Sequence, residues 1–177
     1  MNPSHRPDQR RRHRRGLSLM EMVAATAITS SLMVSSMVVV RSSYAAWQAH
    51  QGDVDRLVSA DAVLRHVVRG IRQAAEVSAI TDSTNTTGRL DLVNAAGGTD
   101  YWEHTGTGDG YVVYNAAGAI LAEGINQLTF VGYEADGVTE TTTPEDVQLI
   151  KCTVQVTLPR GAGQIRTVSC QGWLRSW

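Results

Sequence analysis

The chain lacks proline between Pro7 and Pro144, and beyond its first sixteen residues it lacks an excess of positive charge. Six arginines precede position 17 beside a single acid, Asp8, whereas the rest of the chain carries 10 basic and 16 acidic residues, a balance of -6. Because phosphate contacts need clustered lysine and arginine, this acidic body argues against contact with nucleic acid. The missing prolines leave the first half of the chain free to form an uninterrupted helix.

The chain also lacks a catalytic constellation. Its histidines beyond the basic tip are scattered and join no acid and nucleophile at a recognisable spacing: His50, His66 and His104. The glycine-rich stretch Thr105–Gly110 has no lysine of the kind that holds a phosphate. The acidic stretches Glu134–Asp136 and Glu140–Asp146 could hold calcium, although a solvated loop explains them more simply. We therefore predict no enzyme activity, no catalytic residue, no cofactor and no metal site.

What the chain does have is a long apolar run near its start. Leu17–Val40 holds 24 residues with one charge, Glu21. As a helix it would be about 36 Å long, enough to cross a hydrocarbon core of about 30 Å. The arginines before the run favour a cytoplasmic N-terminus, with the chain after Arg41 exported. The length of 177 residues predicts a single exported domain.

Three ordinary segments compete to explain this run. A cleaved secretory signal could end near Ser43–Ala45, although the run is longer than the usual apolar region of about 7–15 residues. A twin-arginine signal fits loosely from Arg14 to Ser18, and a plain membrane anchor is the third alternative. Glu21 favours none of them, because a carboxylate inside a spanning helix costs roughly 2.5–3.5 kcal/mol and marks a functional position.

The sequence from Gly16 to Glu21, GLSLME, resembles the processing motif of type IV prepilins and type II secretion pseudopilins. In that family an aspartyl prepilin peptidase cuts after the glycine on the cytoplasmic side and methylates the new N-terminal amine. The resemblance implies that Gly16 ends the leader and that Leu17, where the family most often has phenylalanine, becomes the methylated N-terminus. It also implies that Glu21 pairs with the N-terminal amine of a neighbouring subunit during assembly.

The resemblance further implies a fold, partners and a location. The expected fold is α+β and pilin-like, a long N-terminal helix packed on an antiparallel β-sheet. The expected partners are the prepilin peptidase, other pilin-like subunits and the inner membrane, which the chain would cross once with its N-terminus cytoplasmic and its C-terminal domain periplasmic or otherwise extracytoplasmic. Such a chain is a structural subunit of a type IV pilus or type II secretion pseudopilus. The alternative is a membrane-anchored exported binding protein with no filament role.

Two later stretches, Val63–Ala75 and Gly124–Tyr133, resemble the larger minor pilins and the J-type minor pseudopilins, which implies a minor subunit. We divide the chain into a basic leader (1–16), a membrane-spanning half-helix (17–41), an amphipathic half-helix (42–80) and an exported β domain (81–177). The helix is predicted to continue to Val77, with Asp61 at the solvated edge of its apolar face. That face is predicted from a spacing of three and four residues: Val54, Leu57, Val58, Leu64, Val68, Ile71 and Ala75.

The exported domain is predicted to be built of strands separated by turns, after a polar linker at Thr81–Gly88. In Gln148–Leu158, apolar and polar residues alternate, so its sheet should have one buried and one solvated side. Seven strands are predicted in all: Arg89–Asn94, Thr99–His104, Tyr111–Asn115, Ala119–Glu123, Gln127–Glu134, Gln148–Leu158 and Ile165–Gln171.

The last predicted hairpin brings the two cysteines together. A turn centred on Gly161 pairs Leu158 with Gln164, and the same register puts Cys152 opposite Cys170. In an oxidising compartment an opposed pair can bridge, so Cys152–Cys170 is a candidate cross-strand disulfide. Two buried free thiols are the alternative, and a slip of one residue in register would separate the pair.

Overall fold

The computed structural model describes residues 18–106, 108–116, 118–159 and 163–174. By their contacts the residues fall into two units, 1–45 and 46–177. The elements along the described residues are α1 (Leu19–Gln73), β1 (Ala74–Ile80), β2 (Arg89–Asn94), β3 (Thr99–Thr105), β4 (Gly110–Tyr114), β5 (Ile120–Ile125), β6 (Gln127–Tyr133), β7 (Glu140–Thr141), a 3₁₀ turn (Pro144–Asp146), β8 (Leu149–Leu158) and β9 (Gln164–Trp173).

The α+β class is confirmed: a long N-terminal helix packs on antiparallel strands. These strands form two sheets, whereas a single sheet was expected. The first has the order β1-β2-β3-β4-β5, and the second has the order β7-β6-β8-β9. All seven predicted strands are present, with ends displaced by two residues or fewer. Strands β1 and β7 were not predicted.

The chain passes from the first sheet to the second between β5 and β6. Gly124 has φ of 73°, in the left-handed region that favours glycine. A Cβ at Gly124 would overlap the guanidinium of Arg56 from α1, which also pairs with Asp109 at 2.9 Å. Asn126, the residue between the two strands, donates its N–H into β8 at 2.8 Å. The change of direction at Gly124 and Asn126 therefore takes the chain from β4, the partner of β5, to β8, the partner of β6.

One core joins α1 to both sheets. The helix contributes Ala60, Val63, Leu64, Val67 and Ile71. The first sheet contributes mainly Leu90, Leu92, Trp102, Val112 and Ile125. The second contributes Leu128, Phe130, Ile150, Cys152, Val154 and Val156. Burying each large side chain of this kind contributes about 1.5–3 kcal/mol, so this shared core holds the unit 46–177 together.

The prediction that the helix continues to Val77 and that 42–80 is helical throughout is wrong. The helix ends at Gln73, and Ala74–Ile80 form β1. The pairing of β1 with β2 shifts register twice, and burial falls on Ala74 and then Val77. A β-bulge adds a residue to one strand, so two of them give this strand an apolar spacing of three. That spacing imitates a helix in the sequence.

The predicted buried face of α1 is correct only in part. Leu64 and Ile71 are buried, but Val54, Leu57 and Val58 are 43%, 39% and 61% exposed. This part of the helix has apolar residues on more than one face, and spacing alone does not say which face the sheets cover. Asp61 is exposed and pairs with Arg65 at 2.7 Å, as expected for the solvated edge.

Candidate functional site

The processing motif lies at the start of the described chain. Gly16 and Leu17 fall outside the described residues. The Ser18 carbonyl accepts the N–H groups of Glu21 at 2.9 Å and Met22 at 3.1 Å, which begins α1. Glu21 is therefore in the first turn, where the helix dipole favours a negative charge, and its side chain is exposed.

The apolar first part of α1 is uncovered. Every residue from 18 to 48 is exposed, including Leu19 at 83% and Met33 at 71%. An 18-residue window of this helix has a mean hydropathy of 1.9 with none of it buried, so the helix is long and apolar enough to cross a membrane. Exposing a surface of this kind to water is unfavourable, and such surfaces mark contact with a membrane or another protein.

Four hydroxyl side chains inside this apolar segment are hydrogen-bonded within the helix itself. Thr26, Thr29, Ser30 and Ser35 donate their hydroxyls to carbonyls three or four residues earlier, at 2.7–2.9 Å. Because each donor is bonded within the helix, these hydroxyls cost little in apolar surroundings. Glu21 differs from these residues because it can carry a full charge, and it is the one ionisable side chain from residue 18 to residue 40.

The two cysteines lie opposite each other, as predicted from the hairpin. Strands β8 and β9 pair Leu158 with Gln164 and Cys152 with Cys170. Opposed residues of antiparallel strands have Cα atoms about 4.5–5.5 Å apart, within the range of about 4.4–6.8 Å that a disulfide needs. Both are free thiols in this structure, so the disulfide itself stays a prediction. Burial raises the pKa of the Cys152 thiol, whereas a hydrogen bond with Cys152 lowers the pKa of Cys170.

Export of the unit 46–177 to an oxidising compartment would leave the two thiols as a disulfide. An alkylating reagent should then label neither cysteine before reduction and both after unfolding with a reductant, as read by intact mass. Cys152→Ala is the control, because it leaves the half-buried Cys170 thiol without a disulfide partner, whereas Cys152 itself is fully buried. Labelling of Cys170 in the native, unreduced protein would favour two free thiols.

A polar and aromatic cluster on the first sheet was not foreseen. The indole N–H of Trp102 donates to Nδ1 of His66 on α1 at 3.0 Å, and the His66 ring meets the Tyr114 ring edge-on at 4.5 Å between centroids. The Tyr114 hydroxyl donates to Asp100 at 2.9 Å, and Asn115 donates to the same oxygen at 2.7 Å. The spacing of residues in the sequence does not predict this cluster, because the cluster joins a helix to two strands and a turn.

The cluster fixes the charge state of its members. Burial, and after it the positive charge of Arg69, lowers the pKa of His66, and Asp100 opposes this only in part. Burial alone would raise the pKa of Asp100, but hydrogen bonds from Asn115, Tyr114 and Asn94 lower it overall. Both shifts favour a neutral imidazole and an ionised carboxylate at neutral pH. The hydrogen bonds of the cluster join α1 to β3, and β3 to β4 and the turn after it.

The stability of the unit 46–177 should fall as the pH drops below about 6.5, the ordinary pKa of histidine. The folded state lowers the pKa of His66, so the unfolded state binds more protons in this range. Stability is therefore complete above that pH and decreases until the lowered pKa is passed. Thermal unfolding of the wild type and of His66→Gln, which keeps an acceptor for Trp102 but does not titrate, measures this. A decrease that persists unchanged in His66→Gln would contradict the assignment.

Within the described residues no three side chains of histidine, cysteine, aspartate or glutamate lie close enough together to hold a metal ion. The acidic loop after β6 instead uses the Asp136 carboxylate internally, since it accepts the Thr139 hydroxyl at 2.5 Å and two backbone N–H groups at 2.9 Å. No protein-family model, curated protein or solved structure matches the chain.

Proposed function

We propose that the chain is a structural subunit, and a minor one, of a type IV pilus or type II secretion pseudopilus. In this proposal the prepilin peptidase cuts after Gly16 and methylates Leu17. The observation that supports it is the first part of α1: an exposed apolar helix whose one carboxylate, Glu21, lies in the first turn. The same helix then continues into a core with antiparallel strands, the layout that the processing motif implies.

The proposed assembly chemistry follows from the position of Glu21. Cleavage would leave a charged amine four residues before this carboxylate, inside the membrane. Two charges that pair in low dielectric offset their desolvation, whereas removing one partner of a buried pair costs about 3–5 kcal/mol. We propose that Glu21 of one subunit receives the N-terminal amine of the next. The membrane-embedded precursor and the assembled subunit then differ in the partner of one carboxylate.

The location belongs to the same proposal. The chain would cross the inner membrane once, with the arginine-rich start cytoplasmic and the unit 46–177 periplasmic or otherwise extracytoplasmic. One helix of suitable length and composition supports a single crossing. The acidic balance of the chain beyond its first sixteen residues supports the absence of nucleic-acid contact.

The mature N-terminus and the assembly of Glu21→Ala test the proposal. Intact mass of chain purified from membranes should show a start at methylated Leu17. Glu21→Ala should keep that cleavage and lose co-purification with the other pilin-like subunits by about a hundredfold or more, the ratio that 3–5 kcal/mol implies. Met22→Ala is the matched control, with the same truncation one residue on and no charge lost. A start near Ala46 would indicate a cleaved secretory signal and refute processing after Gly16, and undiminished assembly of Glu21→Ala would refute the pairing role.

A further inference from the structure

Strand β9 leaves one long edge of the second sheet open. It pairs with β8 over ten residues without a register shift, and within the described residues it has no partner on its other side. Proteins usually protect such an edge with proline, lysine, a bulge or a short strand. The ten residues Gln164–Trp173 have no proline, lysine or bulge and a single charged side chain, that of Arg166, whereas the opposite edge of the same sheet is closed by β7, which has two residues.

The register identifies the groups that face the open edge. Leu174 donates its N–H to the carbonyl of Gln148 at 2.9 Å, which places hydrogen-bonded pairs at the even positions of β9. In an antiparallel ladder the intervening residues direct N–H and C=O to the other side. The free backbone groups therefore belong to Ile165, Thr167, Ser169, Gln171 and Trp173, whose side chains are also exposed.

A groove of about 710 Å³ lies directly beside this edge, between β9 and the second half of α1. Its apolar part is made by Leu64, Val68, Val168 and Cys170. Neighbouring strands lie about 4.8 Å apart. A strand added to β9 would therefore run along the groove and direct every second side chain into it.

The groove carries uncompensated positive charge. Three arginines of α1 line it, and Asp61 pairs with the first of them, Arg65, at 2.7 Å. Arg69 and Arg72 have no carboxylate partner in the part of the chain that the structure describes. A segment with acidic side chains at its inward positions complements this charge, since guanidinium groups bind carboxylates with paired hydrogen bonds.

We propose that β9 and this groove form a docking site for an extended acidic segment of another protein. The segment adds to the sheet as a further strand, and its backbone forms hydrogen bonds with the odd-numbered residues of β9. Its apolar side chains contact Val68 and Val168, and its acidic side chains pair with Arg69 and Arg72. A second copy of the chain fits less well, because pairing β9 with itself brings a second set of arginines to the same groove. The site lies wholly within 46–177 and does not depend on the assembly role proposed for Glu21.

The first test uses designed peptides and the full chain in detergent micelles, followed by fluorescence anisotropy. The probe is a labelled ten-residue peptide, the length of β9, that alternates threonine with glutamate and valine. A version with lysine for glutamate should bind about tenfold more weakly or worse, because it meets like charge. A version N-methylated on the residues that face β9 should not bind, because it cannot donate to the edge. Equal binding of the lysine peptide or of the N-methylated peptide would overturn the proposal, as would no binding by the glutamate peptide.

The second test changes the protein. Ser169→Pro removes one outward N–H that β8 does not use, and an edge strand tolerates proline there. It should weaken the glutamate peptide about tenfold, whereas Ser169→Ala, which keeps the N–H, should not. Arg69→Gln should reduce the preference for glutamate over lysine. Lys151→Gln is the control. It also removes one positive charge, but from the face of β8 that points away from the groove, so it should leave that preference intact. Equal affinity of Ser169→Pro and Ser169→Ala would exclude strand addition, and dimerisation of the chain that Ser169→Pro abolishes would assign the edge to a second copy instead.

Discussion

Replacing Trp102 by alanine is expected to lower the free energy of unfolding of the unit 46–177 by about 3–5 kcal/mol. The indole is 1% exposed, packs at 5.2 Å between centroids from Tyr114, and donates its N–H to His66. The change therefore empties a large volume where α1 meets β3 and leaves the acceptor nitrogen of His66 without its donor. Both losses act on the same contact, so this substitution should destabilise the unit more than any other proposed for it.

Denaturant unfolding of the full chain in detergent micelles, followed by near-ultraviolet circular dichroism, measures the effect. Trp173→Ala is the matched control, because Trp173 is 54% exposed and lies on the open edge strand. We expect it to change the free energy of unfolding by about 0.5 kcal/mol or less. If the two variants lose similar stability, Trp102 is not the anchor between helix and sheet that its burial indicates.

Gly70→Ala should destabilise the same unit, although alanine favours a helix over glycine by about 1 kcal/mol. A Cβ at Gly70 would overlap the ring of Trp102. Overpacking of a dense core costs about 1–3 kcal/mol, and the rigid indole has no room to move away. Steric overlap should therefore outweigh the gain in helix propensity.

Gly52→Ala is the control for this substitution, and it should have the opposite sign. A Cβ at Gly52 meets only the side chain of Pro159, at 3.4 Å, which is an ordinary contact. That variant should gain up to about 1 kcal/mol, so the two alanine variants should differ by the overpacking cost alone, about 1–3 kcal/mol. In a Trp102→Ala background the cost of Gly70→Ala should disappear, because the ring that it overlaps is gone. If Gly70→Ala still lowers the free energy of unfolding in that background, the cost arises from the backbone and not from overlap with Trp102.

The sequence is informative about this chain where one local rule acts alone. The alternation in β8 predicts its buried face, and the turn predicted around Gly161, which lies outside the described residues, gives the observed register that brings Cys152 opposite Cys170. The absence of proline predicts a long helix, and the apolar run is helical from Leu19 onward. These features depend on residues close together in the chain, which is why spacing is sufficient to find them.

Features that depend on distant contacts were missed. The two bulges of β1 give a strand the apolar spacing of a helix, and only its pairing with β2 reveals them. A glycine inside a helix suggests a weak point, yet the missing side chain at Gly70 makes room for the ring of Trp102, which lies 32 positions later in the chain. The arrangement of His66, Asp100 and Tyr114 depends in the same way on the packing of α1 over the first sheet. Neither periodicity nor composition contains this information.

The hydroxyl bonds within α1 bear on how its first part could exchange one apolar medium for another. Since Thr26, Thr29, Ser30 and Ser35 donate to carbonyls of their own helix, moving this segment from lipid to a bundle of helices need not break these bonds. Its partition between the two media is then decided by the fit of side chains and by the ionic partner of Glu21. Under the assembly role proposed above, the carboxylate of Glu21 would decide when a subunit leaves the lipid, because its desolvation is offset only when an amine pairs with it.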